Sequence, residues 1–257
     1  MQRLFLKKWL FFLIFLSNSS FFYGDETTEE KKYKIGLCIM ATGRYVHFAE
    51  QLIESGRKYF LTNHDVTYFV FTDNRINQEK DVVVIPQKRL GWPYDTMMRF
   101  EVYFKNKNLL QEMDYLFASD ADMLFVAPIG EEILGPLVGT VHPGYVGRRG
   151  TYEVNPYSKA FVRADEGQIY FAGGFYGGDR EHFFTLIDHN QKMIQEDLSK
   201  GIIPLWHDES HLNRYFLDHQ PSIVLSPSYC YPESLNLPYP KKLLALDKNH
   251  AELRKRK

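Results

Sequence analysis

The sequence predicts an α/β domain with a mostly parallel central sheet flanked by helices, and three observations carry that prediction. Apolar runs of strand length alternate with amphipathic stretches of helix length through the first half of the chain. These runs are near-continuous rather than alternating, as in strands buried on both faces. Two carboxylates, Asp120 and Asp122, stand where one such run ends, in DYLFASDADM. In open α/β sheets, ligands bind beyond the carboxyl ends of the strands.

Of 257 residues, 44% are hydrophobic and 16% aromatic, which is ample for the core of one large domain. A net charge of -1 gives no bulk attraction to nucleic acid, so no nucleic-acid partner is expected. The two cysteines, Cys38 in IGLCIM and Cys230 in SYCYP, form no disulfide framework and have no C-x-x-C metal spacing. Both read as small core hydrophobes, with a bridge between them as the alternative.

Taken in order, residues 1–24 hold a basic start (Arg3, Lys7, Lys8) and the apolar block WLFFLIFL, the pattern of a signal peptide or an N-terminal membrane anchor. Uncleaved, the segment would tie the protein to a membrane. Residues 25–32, DETTEEKK, form a charged linker, and residues 33–257 form the folded domain. KIGLCIM is its first strand, HFAEQLIESGRKYF its first helix, and VTYFVFTD and DVVVIPQ its next two strands. DTMMRFEVYFKNKNLL reads as one helix capped by Asp95, leading into the strand that ends at Ser119. Two glycine pairs in FAGGFYGG precede a helix that begins near Asp179 and buries Phe183, Phe184, Ile187 and Ile194. HDESHLNRYFLDH is a further helix, crowded with polar residues at its start.

Two carboxylates at i and i+2, backed by an apolar core, suit a hard divalent cation such as Mn²⁺ or Mg²⁺ that also binds phosphate oxygens. A bare D-x-D more often marks a solvated turn, so context decides. WHDESHLN gathers Trp206, His207, Asp208, Glu209, His211 and Asn213, which reads as a site or as a capped helix start with a polar face. The glycines of FAGGFYGG serve either a tight turn or the close approach of a ligand to backbone. His142 precedes a Pro-Gly turn in VHPGYVG and alone reads as structural.

Five segments taken together, DYLFASDADM, GTVHPGYVG, DEGQIYFAGGFYGG, GIIPLWHDESHLNRYFLDHQPSIVLSPSY and LDKNHAELR, resemble the family 6 glycosyltransferases in order and spacing. This is the group of the histo-blood-group A and B transferases, α-1,3-galactosyltransferase and Forssman synthase, and the similarity runs from about Lys34 to Arg254. It implies a GT-A type fold and a retaining α-1,3 transfer from a UDP-sugar to an oligosaccharide acceptor with terminal galactose, a fucosylated galactoside among the candidates. It also implies a Golgi lumen location in a eukaryote or the cell envelope in a bacterium.

By the same resemblance, Asp120 and Asp122 hold Mn²⁺, with Mg²⁺ as the alternative, against the donor diphosphate. Bacterial relatives with asparagines there work without metal, whereas this chain keeps both aspartates. Met40, Ala41, Tyr45 and Ala121 fall among the donor-binding positions, Tyr45 near the uracil and Met40 where the A and B enzymes carry phenylalanine. Arg99 and Asp208 contact the donor sugar, and Lys248 and Arg254 close over the diphosphate. Glu209 lies below the anomeric carbon as the catalytic carboxylate and borders the acceptor, which His142 and Trp206 also bind. The selectivity triplet falls on Ala172, Gly173 and Gly174. Glycine at its third position leaves room for an acetamido group, so GalNAc is expected rather than galactose. The competing expectations are a two-metal hydrolase built on Asp120, Asp122, His207 and Asp208, and a sugar-binding protein without turnover.

Overall fold

In a computed structural model, which describes residues 31–253, each apolar run of the first half forms a strand of one sheet. β1 (Lys34–Met40) pairs in parallel with β2 (Asp65–Thr72), and β2 with β3 (Val82–Pro86). Between the first two lies α1 (Val46–Tyr59), which buries Ala49, Leu52 and Ile53 against the sheet at the spacing of one helix face.

The stretch expected as one helix from Asp95 is instead three short ones: α2 (Tyr94–Met97), α3 (Arg99–Lys105) and α4 (Lys107–Leu110). Asp95 is not the cap. It lies in the first turn, where its carboxylate accepts from the backbone N–H groups of Leu90 at 2.7 Å and Gly91 at 3.0 Å and closes the preceding loop. The breaks fall at Met98 and Asn106, whose ψ angles of 5° and 15° leave the helical region. Asn106 also donates its side-chain amide to the carbonyl of Val102, competing with the helical ladder.

β4 (Tyr115–Asp120) pairs in parallel with β1 and is the middle strand of the sheet. After it come β5 (Met123–Phe125), β6 (Leu137–Val141) and β7 (Phe171–Asp179), then α5 (Arg180–Ser199) and α6 (His207–Asp218). The Asp179 side chain caps α5 by accepting from the His182 N–H at 2.9 Å. β8 (Ile223–Leu225), β9 (Tyr231–Pro232), β10 (Leu243–Ala245) and α7 (His250–Leu253) complete the described chain.

The main sheet runs β3-β2-β1-β4-β7-β6-β8. Only β7 opposes its neighbours, pairing antiparallel with β4 and β6, so the sheet is mostly parallel. The continuous apolar runs are explained by burial on both faces. Leu37, Ile39 and Phe117 point to the α1 side, while Cys38, Leu116 and Ala118 point to the side covered by α3, α5 and α6. Phe117 stacks on Phe175 of β7 with ring centroids 5.6 Å apart. Truncating either ring to alanine would cost about 3–5 kcal/mol.

The glycine pairs lie within β7 rather than in a turn. At Gly177 a methyl group would meet the Leu116 carbonyl at 2.3 Å, so the second pair lets β7 lie close to its neighbour. A second sheet, β5-β10-β9, holds the C-terminal segment beside the end of β4. Cys38 and Cys230 are both free and buried, which removes the bridge alternative.

Residues 32–253 lie within one compact unit. The apolar block of residues 1–24 and most of the linker lie outside the described residues, as does Arg254. Among the described residues, no helix is long and apolar enough to cross a membrane.

Candidate active site

The carboxyl ends of β1 and β4 open onto a solvent-open cleft. Met40 ends β1 at its rim, and Tyr45, Asp120, Ala121, Asp122 and Lys248 face the same space. Sequence reasoning missed Arg89, Trp92 and Leu253, which also line it. Ala41 is not at the cleft surface: it is fully buried, and its carbonyl accepts from the Thr72 hydroxyl at 2.7 Å.

Asp120 ends β4 and Asp122 follows two residues later, so both carboxylates stand at the carboxyl end of the middle strand. Asp122 is buried, and its carbonyl is tied to the second sheet by the N–H of Leu246 at 2.9 Å. That bond carries the segment after β10 past the site, where Lys248 forms an ion pair with the Asp122 carboxylate. The pair suits a hard divalent cation. Both candidate ligands are carboxylates, and the buried Asp122 Oδ2 is matched by the Lys248 ammonium rather than by a hydrogen bond from a neutral donor. Two ligands leave room for phosphate oxygens and water. Among the described residues, no three His, Cys, Asp or Glu cluster as a metal cage. Asp208, expected by the two-metal reading to be a ligand, is instead held by Arg99.

Arg99 is the hub. The break at Met98 begins α3 with this residue, and its guanidinium is buried in the site. Nη2 donates to Asp120 Oδ1 at 2.7 Å, Nε pairs with Asp208 Oδ2 at 2.9 Å, and Nη1 donates to the Gly173 carbonyl at 3.2 Å. Burial opposes its charge, but Asp208 and Asp120 hold it protonated. One side chain thus joins the end of β4, the start of α6 and the middle of β7.

α6 begins at Trp206, whose backbone N–H donates to Ser210 Oγ at 2.9 Å. His207 has a φ of 54°, the left-handed region that a residue with a Cβ seldom adopts, and its ring packs edge-on to Trp92 at 5.1 Å. Asp208 and Glu209 follow in the first turn. Both Glu209 oxygens have donors: the Tyr170 hydroxyl reaches Oε1 at 2.9 Å and the Gly173 N–H reaches Oε2 at 2.7 Å. Burial raises the Glu209 carboxyl to about 7 against the pull of those two hydrogen bonds. Burial likewise raises Asp208, against Arg99.

Tyr170 links Glu209 to an aromatic cluster, packing on Tyr145 at 4.9 Å and on His142 at 5.7 Å. Burial lowers His142 to about 4, so it is a neutral imidazole near pH 7. Its Nδ1 accepts from the Gly144 N–H at 3.0 Å, which puts the ring proton on Nε2. Trp206 leaves 45% of its surface exposed at the start of the same helix. Ala172 is buried next to the two glycines. A methyl group on Gly173 would sit 3.3 Å from Glu209 Oε2, and one on Gly174 would meet Cys230 Sγ at 3.1 Å.

A mostly parallel sheet with two carboxylates at the end of its middle strand, one of them joined through an arginine to the buried aspartate that precedes a buried glutamate, is consistent with a glycosyltransferase of the GT-A kind. The comparisons with known proteins agree. The model of Glycosyltransferase family 6 matches residues 4–255. Histo-blood group ABO system transferase 1 of Rattus norvegicus is 40% identical over 240 residues, covering 86% of this chain and 68% of its own. Globoside alpha-1,3-N-acetylgalactosaminyltransferase 1 of Homo sapiens is 35% identical over 236 residues, covering 86% and 68%. O-antigen biosynthesis glycosyltransferase WbnI of Escherichia coli is 31% identical, covering 83% of this chain and 94% of its own. The chain belongs to glycosyltransferase family 6 and is a glycosyltransferase.

Proposed function

We propose that this enzyme transfers GalNAc from UDP-GalNAc to the 3-hydroxyl of a terminal galactoside with retention at the anomeric carbon. The observation that carries the reading is the Arg99 bridge, which joins Asp120 to Asp208 and so makes the phosphate end and the Glu209 end one site. The names of relatives that are α-1,3-N-acetylgalactosaminyltransferases support the linkage and the donor.

Asp120 and Asp122 would hold Mn²⁺, with Mg²⁺ as the substitute, and the ion supplies counter-charge to the diphosphate that leaves as UDP. Lys248, paired with Asp122, adds fixed positive charge beside that position. Tyr45 and Met40 border the donor cleft at its β1 end. Glu209, once ionised, presents its carboxylate where positive charge develops on the sugar, as retention requires on the face opposite the leaving group. The hydrogen bonds from Tyr170 and Gly173 fix both of its oxygens. His142 donates from Nε2 to an acceptor hydroxyl, and the exposed Trp206 offers a flat face to a sugar ring.

The test is an incubation of the full chain with UDP-GalNAc, Mn²⁺ and a fucosylated galactoside, read by mass spectrometry. The expected product is acceptor plus one N-acetylhexosamine, lost in excess chelator and in Asp122→Asn. Free sugar or phosphate without acceptor product would instead assign a hydrolase.

A further inference from the structure

The structure assigns a second donor-selecting residue: Cys230, whose sulfur packs against Gly174, the residue that the donor reading places beside the sugar. The inference rests on the donor reading above and extends it to a residue far away in sequence. Three segments converge here. Gly174 comes from β7, Met123 begins β5, and Cys230 ends the short 3₁₀ turn before β9. A methyl group on Gly174 would lie 3.1 Å from Cys230 Sγ, 3.6 Å from Met123 Sδ and 3.8 Å from Asp120 Oδ2.

The last two distances are ordinary contacts and the first is not. A side chain at position 174 is therefore opposed mainly by the Cys230 sulfur, and the room at Gly174 is defined jointly by the two residues. The sulfur also lies within electrostatic reach of Asp120 and Glu209, so it adjoins both ends of the proposed site. Burial pushes the thiol up and keeps it neutral, so its contribution is volume rather than charge or nucleophilicity.

The experiment measures kcat/KM for UDP-GalNAc and UDP-Gal, with Mn²⁺ and one galactoside acceptor, in wild type, Gly174→Ala, Cys230→Ala and the double variant. Gly174→Ala should lower the GalNAc:Gal ratio by about one to two powers of ten. Cys230→Ala removes the sulfur that opposes the new methyl, so the double variant should recover at least about tenfold of that loss, a departure from additivity. As a second arm, Cys230→Val on the Gly174 background enlarges the wall and should lower the ratio on its own. A double variant with the ratio of Gly174→Ala, or a Cys230→Val ratio within about twofold of wild type, overturns the inference. Because coupling is read as a change in ratio, wild type that prefers UDP-Gal would overturn the donor reading separately.

Discussion

Arg99→Met removes the guanidinium that holds two carboxylates together while keeping most of the stem's volume. Asp120 and Asp208 sit 2.7 and 2.9 Å from it, and Asp208 is buried, whereas the Asp120 side chain is 36% exposed and can be rehydrated. The loss is therefore assigned to Asp208. Removing one partner of a buried pair costs about 3–5 kcal/mol, and the lower end applies because the site opens onto a cleft. For a domain of this size each kcal/mol lowers Tm by about 2–4 °C, so a drop of about 6–12 °C is expected at pH 8. The pH dependence follows from protonation. Burial already raises Asp208 above its unfolded value, so the folded state binds more protons and stability falls as pH rises through that window. Without Arg99 the window extends further upward. At pH 5.5 the carboxyl is protonated, the unpaired charge is absent, and the deficit should shrink to less than half. Thermal unfolding followed by circular dichroism at the two pH values measures both. A Tm within about 2 °C of wild type at pH 8, or a larger deficit at pH 5.5, would refute the hub role.

Turnover should rise with pH through about 7 as Glu209 loses its proton, and a pH–rate profile flat from pH 5.5 to 8.5 would contradict its assigned role. Gly173→Ala places a methyl 3.3 Å from Glu209 Oε2, so kcat should fall about ten- to a hundredfold with UDP affinity unchanged, separable by kinetics and UDP calorimetry. Trp206→Ala should raise the acceptor KM about tenfold or more and change kcat little, because the ring is exposed and packs no core. Mn²⁺ binding in the presence of UDP, followed by electron paramagnetic resonance, should be lost in Asp122→Asn.

The parts of the fold that depend on local pattern were legible. Apolar runs marked β1, β2, β3 and β4, and the end of the β4 run located Asp120 and Asp122. The density of polar residues after Trp206 marked the start of α6 with Asp208 and Glu209. Illegible were features that depend on partners distant in the chain. Tyr170 reads as one more aromatic before a strand until Glu209, 39 residues later, accepts a hydrogen bond from its hydroxyl. Cys230 reads as a core cysteine until β7 is laid against it. The broken helix at Met98 had no glycine or proline to announce it. What breaks it is a ψ of 5° at Met98, and the residue that follows is the arginine both carboxylates require.

The three-stranded sheet sets the smallest unit that can be exchanged between relatives of this family. Met123 lies more than a hundred residues before Cys230 and the segment leading to Lys248, yet they are hydrogen-bonded neighbours or adjoin such pairs. If the triplet selects the donor as proposed, a chimera that transplants only Ala172-Gly173-Gly174 would import one wall of that pocket and leave the others native. On the proposed donor reading, exchange of the triplet together with residues 227–248 would move the pocket as a whole, so the segment that carries β9 and β10 should travel with the triplet when activities are recombined.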